Sequence, residues 1–172
     1  LRRELKWSQK EIFLFGRHVM QPRLVAWYGE RDAVYRYSGL ELEPEPWNPL
    51  LLELRLQVER LTGESFNSAL ANAYRDGSDS MGWHSDDEPE LGERPVIASI
   101  SLGAERVFLL RYREKAMRER EGTIRLRLGH GSLLVMKGAS QSRFQHSVPK
   151  TRKELGWRIN LTFRKILPRF QA

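Results

Sequence analysis

The second half of this chain is a series of short β-type runs with little room for helices between them. Runs rich in β-branched, leucine and aromatic residues follow Gly63, namely VIASISL, RVFLLRY, TIRLRL, SLLVM and WRINLTF. They are separated by Gly103, Gly122, Gly129, Gly131 and Gly138. Because a parallel sheet needs a long crossover between successive strands, this spacing predicts an antiparallel sandwich, barrel or jelly roll.

One helix is clearly marked ahead of these strands. Asn48 is a typical N-cap, Pro49 suits the first helical position, and Gly63 suits the residue just past the end. The sequence therefore predicts a helix over about residues 49–62, covering one outer face of the sheet. Its predicted buried stripe, at helical spacing, consists of Leu51, Leu54, Val58 and Leu61. A shorter helix is predicted near residues 8–13.

Length and cysteine content limit the architecture further. The chain has 172 residues and no cysteine, which excludes disulfides, thiolate metal sites and cysteine nucleophiles. A chain of this length can bury one core, and it shows no repeat or Gly/Ser linker. We therefore expect residues 1–172 to form a single domain in which any metal is bound by nitrogen and oxygen atoms.

The charge of the chain favours a polyanionic partner. The formal net charge is +7, and residues 150–169 contain seven basic residues against the single acid Glu154. Such a face suits nucleic acid phosphates, although a well-solvated surface has the same composition. The sequence has neither an apolar run long enough to span a membrane nor a signal peptide, so we expect no membrane association. The expected location is intracellular: cytoplasmic in a bacterium and nuclear in a eukaryote.

The stretch MGWHSDDEPE contains a candidate metal site. In extended backbone His84 and Asp86 point to the same side, so they offer an ion two ligands. His146, in FQHSVP, is a candidate third ligand. Two histidines and one carboxylate form the facial set that non-haem Fe(II) oxygenases use, with positions left open for other ligands. An isolated H-x-D is more often part of a surface loop.

Two further stretches supply polar side chains one pleat apart. In WRINLTFR the apolar residues alternate with Arg158, Asn160, Thr162 and Arg164. Two arginines in such a row suit a dicarboxylate ligand, because a guanidinium binds a carboxylate with two parallel hydrogen bonds. The alternative is the solvated face of an edge strand. In NAYRDG, Asn72 and Tyr74 have the same spacing.

Taken in order, these motifs resemble a known family. N-x-Y, H-x-D, a distant histidine and R-x-N-x-T-x-R match the AlkB-type Fe(II)/2-oxoglutarate-dependent dioxygenases, and the resemblance spans about residues 14–167. LFG, YxYSGL, HSDDE and NLTFRKIL are similar to the members that act on duplex DNA. The resemblance implies a mainly β fold with flanking helices and a double-stranded β-helix (jelly-roll) core. It also implies a nucleotide-recognition region at about residues 10–45.

The resemblance also implies cofactors, an activity and a catalytic set. Fe(II) would be held by His84, Asp86 and His146, and Arg158 would pair with the distal carboxylate of 2-oxoglutarate. The rest of the 2-oxoglutarate pocket would comprise Asn72, Tyr74, Asn160, Thr162 and Arg164. With O2 as second co-substrate, the enzyme would demethylate 1-methyladenine and 3-methylcytosine in DNA. Succinate, CO2 and formaldehyde would be released, and the reaction would amount to direct-reversal repair.

Substrate-contacting residues follow from the same resemblance. Asp87 and Glu88 would attract a methylated base, which is cationic, and Tyr35 and Tyr37 would fix the base once it is flipped out of the duplex. Phe15, between Leu14 and Gly16, resembles the aromatic finger that fills the gap left behind. Phosphate contacts would come from Arg17, Arg152 and Lys153, although Thr151 stands where the family is often basic. Solvated acids, ordinary strand aromatics and a buried phenylalanine are the alternatives.

The implied partner is alkylated, double-stranded DNA bound by a monomer. The same sequence features are compatible with two other functions. One is an oxygenase of the same superfamily acting on RNA or protein. The other is a nucleic-acid-binding module with an inactive metal site.

Overall fold

The computed structural model describes residues 1–14, 16–33, 35–37 and 40–167, with the backbone alone at 12–14, 35–37 and 40–42. Within these residues the strands are, in chain order, β1 (Glu11–Leu14), β2 (Arg17–Met20), β3 (Leu24–Gly29), β4 (Tyr35–Tyr37), β5 (Leu40–Leu42), β6 (Ser68–Tyr74), β7 (Met81–His84), β8 (Ile97–Gly103), β9 (Arg106–Tyr112), β10 (Thr123–Leu128), β11 (Ser132–Met136), β12 (Phe144–Val148) and β13 (Arg158–Arg164). The helices are α1 (Pro49–Thr62), α2 (Lys115–Glu121) and α3 (Ser140–Arg143). All five β-type runs of the second half of the chain are therefore strands, as predicted.

Two antiparallel sheets form the body of the fold. The larger has the strand order β11-β8-β13-β6-β3 and the smaller has the order β10-β9-β12-β7. Every pairing within these two sheets is antiparallel. The separate hairpins β1-β2 and β4-β5 belong to the N-terminal third of the chain. The prediction of a mainly β, antiparallel fold with flanking helices is confirmed, and the two sheets form a jelly-roll core.

β13 lies in the middle of the larger sheet, between β6 and β8, and all seven of its residues are buried. Its apolar side chains, Ile159, Leu161 and Phe163, join a core cluster with Leu51 and Val58 of α1. The opposite face of β13 points between the two sheets. The alternative of a solvated edge strand is therefore wrong, because strands flank β13 on both sides.

Helix α1 has the predicted boundaries. The Asn48 side chain accepts a hydrogen bond from the backbone N–H of Leu51, and Gly63 adopts a left-handed conformation with φ 73°. Leu51 and Val58 are buried as predicted, whereas Leu61 is 75% exposed. The assignment of Leu61 to the buried stripe is wrong: Leu51, Leu54 and Val58 pack in or against the core cluster and Leu61 does not.

Two local predictions differ from the structure. Residues 8–13 are not helical: Ser8 forms a bridge with Val25, and Glu11–Leu14 is strand β1, paired with β2. The pairing of this segment with strands more distant in the sequence overrides its local pattern. Helix α2, between β9 and β10, was not predicted, and none of its residues is buried. Within the described part of the chain, no helix is long and apolar enough to cross a lipid bilayer.

Candidate active site

A single cavity between the two sheets brings the predicted metal and 2-oxoglutarate residues together. The two sheets meet around a second core cluster that includes Ile97 and Met136 from one sheet and Phe108 and Val148 from the other. The predicted residues that line the cavity are Asn72, Tyr74, His84, Asp86, His146, Arg158, Asn160, Thr162 and Arg164. They come from β6, β7, β12, β13 and the loop after β7, so the residues of four separate motifs face one space.

The two histidines and the aspartate lie within reach of one ion. One ligand atom from each of His84, Asp86 and His146 lies within 4.8 Å of the others. The Nε2 atoms of both histidines are 3.9 Å from the Asp86 carboxylate, each from a different oxygen. The strand pairing of β7 with β12 places His84 directly opposite His146. This donor set, two imidazoles and one carboxylate, is the one that Fe(II) takes in oxygenases.

The ring environments leave Nε2 of each histidine suited to metal binding. The Nδ1 of His84 lies 2.9 Å from the carbonyl oxygen of Gly82, which can only accept, so Nδ1 carries a proton; in the neutral ring this tautomer has its lone pair on Nε2. Burial, together with the nearby His84, lowers the pKa of His146 to about 4 despite the opposing effect of Asp86. His146 is therefore neutral at physiological pH, as a metal ligand must be.

The Asp86 carboxylate is buried yet ionised. Burial raises its pKa, but the electrostatic effect of Arg164 above all, with smaller contributions from His84 and His146, outweighs burial and holds the pKa below its ordinary value. Arg164 Nη2 donates to Asp86 Oδ1 at 2.9 Å. The backbone N–H of Asp86 donates to Oε1 of Gln141, a residue of α3 that is 2% exposed. Asp86 is thus fixed through both its side chain and its backbone.

Arg158 is a deeply buried arginine with unpaired donor atoms, as expected of a residue that binds an anion. Its side chain is 1% exposed, and Nη2 donates to Ser101 Oγ at 2.8 Å and to Asn160 Oδ1 at 2.9 Å. Its Nε and Nη1 atoms are buried and have no hydrogen-bond partner. Burial lowers the pKa of Arg158, but arginine keeps its charge in proteins. Because buried donors are nearly always satisfied, these atoms indicate a ligand that accepts from them.

Polar neighbours also orient Asn160 and Thr162, which lie in the same row of polar side chains on β13 as Arg158. Asn160 Oδ1 also accepts from Ser99 Oγ at 2.9 Å, and Asn160 Nδ2 donates to Thr162 Oγ1 at 2.8 Å. Two serines of β8 therefore support the row on β13. The sequence reasoning missed both, although Ser99 and Ser101 are polar residues one pleat apart in an otherwise apolar run, which is the same signal that identified β13.

A third arginine, also missed, lies in the same cavity. Arg23 is 4% exposed, and its Nε donates to Asn72 Oδ1 at 2.8 Å. Among the described residues, the lining thus includes three guanidinium groups, those of Arg23, Arg158 and Arg164, and a single carboxylate, that of Asp86. Charged side chains are very costly to bury without compensation, so an excess of buried cations suits a ligand with two negative charges. The donor set and the charge both fit Fe(II) with 2-oxoglutarate.

The predicted substrate residues whose side chains the structure describes lie outside this cavity lining. Asp87 forms an ion pair with Arg113, and Glu88 is partly buried. Gly16 has a left-handed backbone with φ 77°, and Arg17, Arg152 and Lys153 are exposed. Phe15 lies outside the described residues, as do the side chains of Tyr35 and Tyr37, whose backbone forms β4. The roles of the base-flipping residues stay predictions.

Comparison with known proteins identifies the family. The family model described as the 2OG-Fe(II) oxygenase superfamily matches residues 1–164. Alpha-ketoglutarate-dependent dioxygenase alkB homolog 3 of Bos taurus is 46% identical over 171 residues, a match that covers 96% of this chain and 59% of the relative. DNA oxidative demethylase ALKBH2 of Mus musculus is 44% identical over 161 residues, covering 92% of this chain and 67% of the relative.

The fold agrees with a more distant structure. The solved structure of OsALKBH1 superposes with a TM-score of 0.62 at 17% identity, over 92% of this chain and 81% of that one. At this identity the likeness shows the fold alone. The chain spans about three fifths of the length of several curated relatives that it matches. From the extent of the family match and the identity to these relatives, we conclude that the chain belongs to the AlkB family of the 2OG-Fe(II) oxygenase superfamily.

Proposed function

We propose that this chain oxidatively demethylates N-alkylated bases in DNA, with Fe(II), 2-oxoglutarate and O2. The observation that carries the proposal is the cavity that combines the His84, Asp86 and His146 cluster with the buried, incompletely bonded Arg158. The names of the relatives, a DNA oxidative demethylase and an alpha-ketoglutarate-dependent dioxygenase, support the same reaction.

In this proposal His84, Asp86 and His146 hold the metal, and Arg158 binds the distal carboxylate of 2-oxoglutarate. Bound iron, with 2-oxoglutarate and O2, supplies the oxidation of a methyl group on a base nitrogen, with succinate, CO2 and formaldehyde as products. The protein contributes binding and orientation. Asn72, Tyr74, Asn160, Thr162 and Arg164 complete the pocket that receives the co-substrate.

The network around each ligand supports this division of roles. Arg164 and Gln141 fix the Asp86 carboxylate and backbone, and Gly82 fixes the ring of His84. Ser101 and Asn160 accept hydrogen bonds from Nη2 of Arg158, while its buried Nε and Nη1 have no hydrogen-bond partner and are available to a ligand. Such supporting contacts reduce the reorganisation that binding requires. Phe108, stacked on His146 with ring centroids 5.2 Å apart, helps to exclude water.

We further propose that alkylated duplex DNA is the substrate. A methyl group on the pairing edge of a base is out of reach inside a duplex, so the base must be flipped out. Phe15 would fill the gap, Tyr35 and Tyr37 would hold the flipped base beside Asp87 and Glu88, and Arg17, Arg152 and Lys153 would contact phosphates. The exposure of these three basic residues and the net charge of +7 support a phosphate-binding face.

The test uses a duplex oligonucleotide carrying one 1-methyladenine, with the protein loaded with iron anaerobically. Loss of one methyl group with an equal amount of formaldehyde, dependent on iron and 2-oxoglutarate, would establish the reaction. Consumption of 2-oxoglutarate without loss of the methyl group would mean a different substrate, such as RNA or protein. If neither changes while the protein still binds DNA, the chain is an inactive nucleic-acid-binding module.

Phe15→Ala tests the preference for duplex DNA. We expect activity on the duplex to fall at least tenfold while activity on the same single strand is retained, because a single strand has no gap to fill. If this variant and the original chain are equally active on duplex DNA, Phe15 does not fill the gap left by the flipped base. Leu14→Ala, one residue away, is the matched control.

The organisation of the chain is part of the proposal. We propose one dioxygenase domain over residues 1–172, acting as a monomer inside the cell, with nucleotide recognition at about residues 10–45. The bridge between Ser8 and Val25 of β3 supports a single unit, because it attaches the N-terminal segment to the larger sheet. Sedimentation of the protein with and without duplex DNA would reveal a dimer.

A further inference from the structure

Asp87, next to the metal-binding Asp86, is engaged by a cation of the same chain. Arg113 Nη1 donates to Asp87 Oδ2 at 2.5 Å, and both side chains are partly exposed, at 43% and 49%. A guanidinium and a carboxylate in contact largely cancel each other's field at a third group. The acid expected to attract a cationic base therefore presents much less than a full negative charge.

Arg113 is held more firmly than an ordinary surface arginine. Its backbone N–H donates to the Arg143 carbonyl at 2.8 Å, and its Nη1 also donates to the Gln141 carbonyl at 3.2 Å. The side chain of Gln141 in turn accepts from the backbone N–H of Asp86. The same short helix, α3, thus fixes both Asp86 and the partner of Asp87. This attachment limits the rotamer freedom that usually makes exposed ion pairs ineffective.

We propose that Arg113 sets the charge specificity of the site by offsetting the charge of Asp87. The inference rests on the proposed function and concerns which methylated bases the site accepts. 3-Methylcytosine is cationic and carries an amino group where neutral 3-methylthymine carries a carbonyl oxygen. An uncompensated Asp87 carboxylate attracts the first and repels the second. Pairing with Arg113 weakens both effects, so the site discriminates less between cationic and neutral bases.

The experiment compares four proteins: the original chain, Arg113→Met, Asp87→Asn and the double variant. Each is given two single-stranded oligonucleotides that differ only in carrying 3-methylcytosine or 3-methylthymine. Two quantities are measured: kcat/KM from formaldehyde release, and Kd from fluorescence anisotropy without iron. Single strands remove the cost of base flipping, and the second quantity does not depend on turnover.

We expect Arg113→Met to raise the preference for 3-methylcytosine over 3-methylthymine by about three- to fivefold in both measurements, the scale of a partly exposed ion pair. In the Asp87→Asn background the same substitution should leave the preference unchanged, because the effect acts through Asp87. Arg118→Met, on α2, is the matched control. It removes an equal charge without an ion pair to Asp87, so it should affect both oligonucleotides equally.

Two results would overturn the inference: a preference that Arg113→Met does not change, or the same change with and without the Asp87 carboxylate. In either case demethylation by the original chain would leave the proposed function intact. If the original chain releases no formaldehyde from either oligonucleotide, the proposed function itself fails, and this inference fails with it.

Discussion

Arg164 Nη2 lies 2.9 Å from Asp86 Oδ1, and both side chains are about 95% buried. The pair joins β13, the middle strand of the larger sheet, to the loop after β7. The two residues are 78 positions apart in the chain. In a buried pair of this kind, each charge compensates the cost of burying the other. The bond therefore links the stability of the fold to the position of Asp86, the candidate metal ligand.

Arg164→Met should destabilise the metal-free protein by about 3 kcal/mol, because it leaves a buried carboxylate without its guanidinium. Adding Asp86→Asn to this variant should restore part of the loss, since an amide is less costly to bury than a charge. Urea unfolding of the two single variants and the double variant gives the coupling free energy. Additive effects would show that the two residues do not interact in solution.

Arg158→Met should separate co-substrate binding from stability. Two of the buried guanidinium nitrogens have no partner in the protein, so their loss costs little; we expect a change in the free energy of unfolding of at most about 2 kcal/mol. Binding of 2-oxoglutarate should weaken at least a hundredfold, because the cavity loses the charge that faces a carboxylate. Calorimetric titration with 2-oxoglutarate checks this, with Arg127→Met, an exposed arginine paired with the exposed Glu105, as control.

His84→Ala and His146→Ala should both abolish metal-dependent turnover but differ in stability. The His84 side chain is 25% exposed, so we expect a loss of less than about 1 kcal/mol. His146 is 6% exposed and stacks on Phe108, so its removal leaves a cavity and should cost about 1–3 kcal/mol. Thermal unfolding in the presence of a chelator measures both values. Equal melting temperatures would contradict the difference in burial.

Two leucines of α1 offer a matched test of the core. Leu51 is fully buried against the larger sheet and Leu61 is 75% exposed. Leu51→Ala should destabilise the protein by about 2–5 kcal/mol, because the cavity cannot close completely. Leu61→Ala should change the free energy of unfolding by no more than about 0.5 kcal/mol. If both cost the same, α1 packs differently in solution.

The fold was predictable where local signals were strong. The boundaries of α1 follow from Asn48, Pro49 and Gly63, whose preferences depend on backbone geometry and little else. Five strands of the second half, β8, β9, β10, β11 and β13, follow from their β-type residues and the glycine turns between them. Residues 8–13 were misjudged because pairing with β2 and the bridge to β3, neither visible in a local window, decided their conformation.

That the proposed metal and co-substrate residues would meet in one candidate site was predictable from motif spacing and order, since alternation in extended backbone puts His84 beside Asp86 and aligns Arg158 with Arg164. Gln141, Arg113 and Arg23 carry no such pattern. Gln141 reaches the backbone of Asp86 across 55 residues, and Arg23 reaches Asn72 across 49. These contacts exist only once the strands have paired.

By itself the sequence determined the antiparallel β character, helix α1 and the residues of the candidate site, because these depend on patterns within a few residues. Only the tertiary structure decided which face of β13 is buried against α1 and which lines the cavity. It also decided that Arg164 pairs with Asp86 and that Arg113 pairs with Asp87. The physical reason is that burial and ion pairing are properties of neighbours in space, and the two sheets bring together residues from distant parts of the chain.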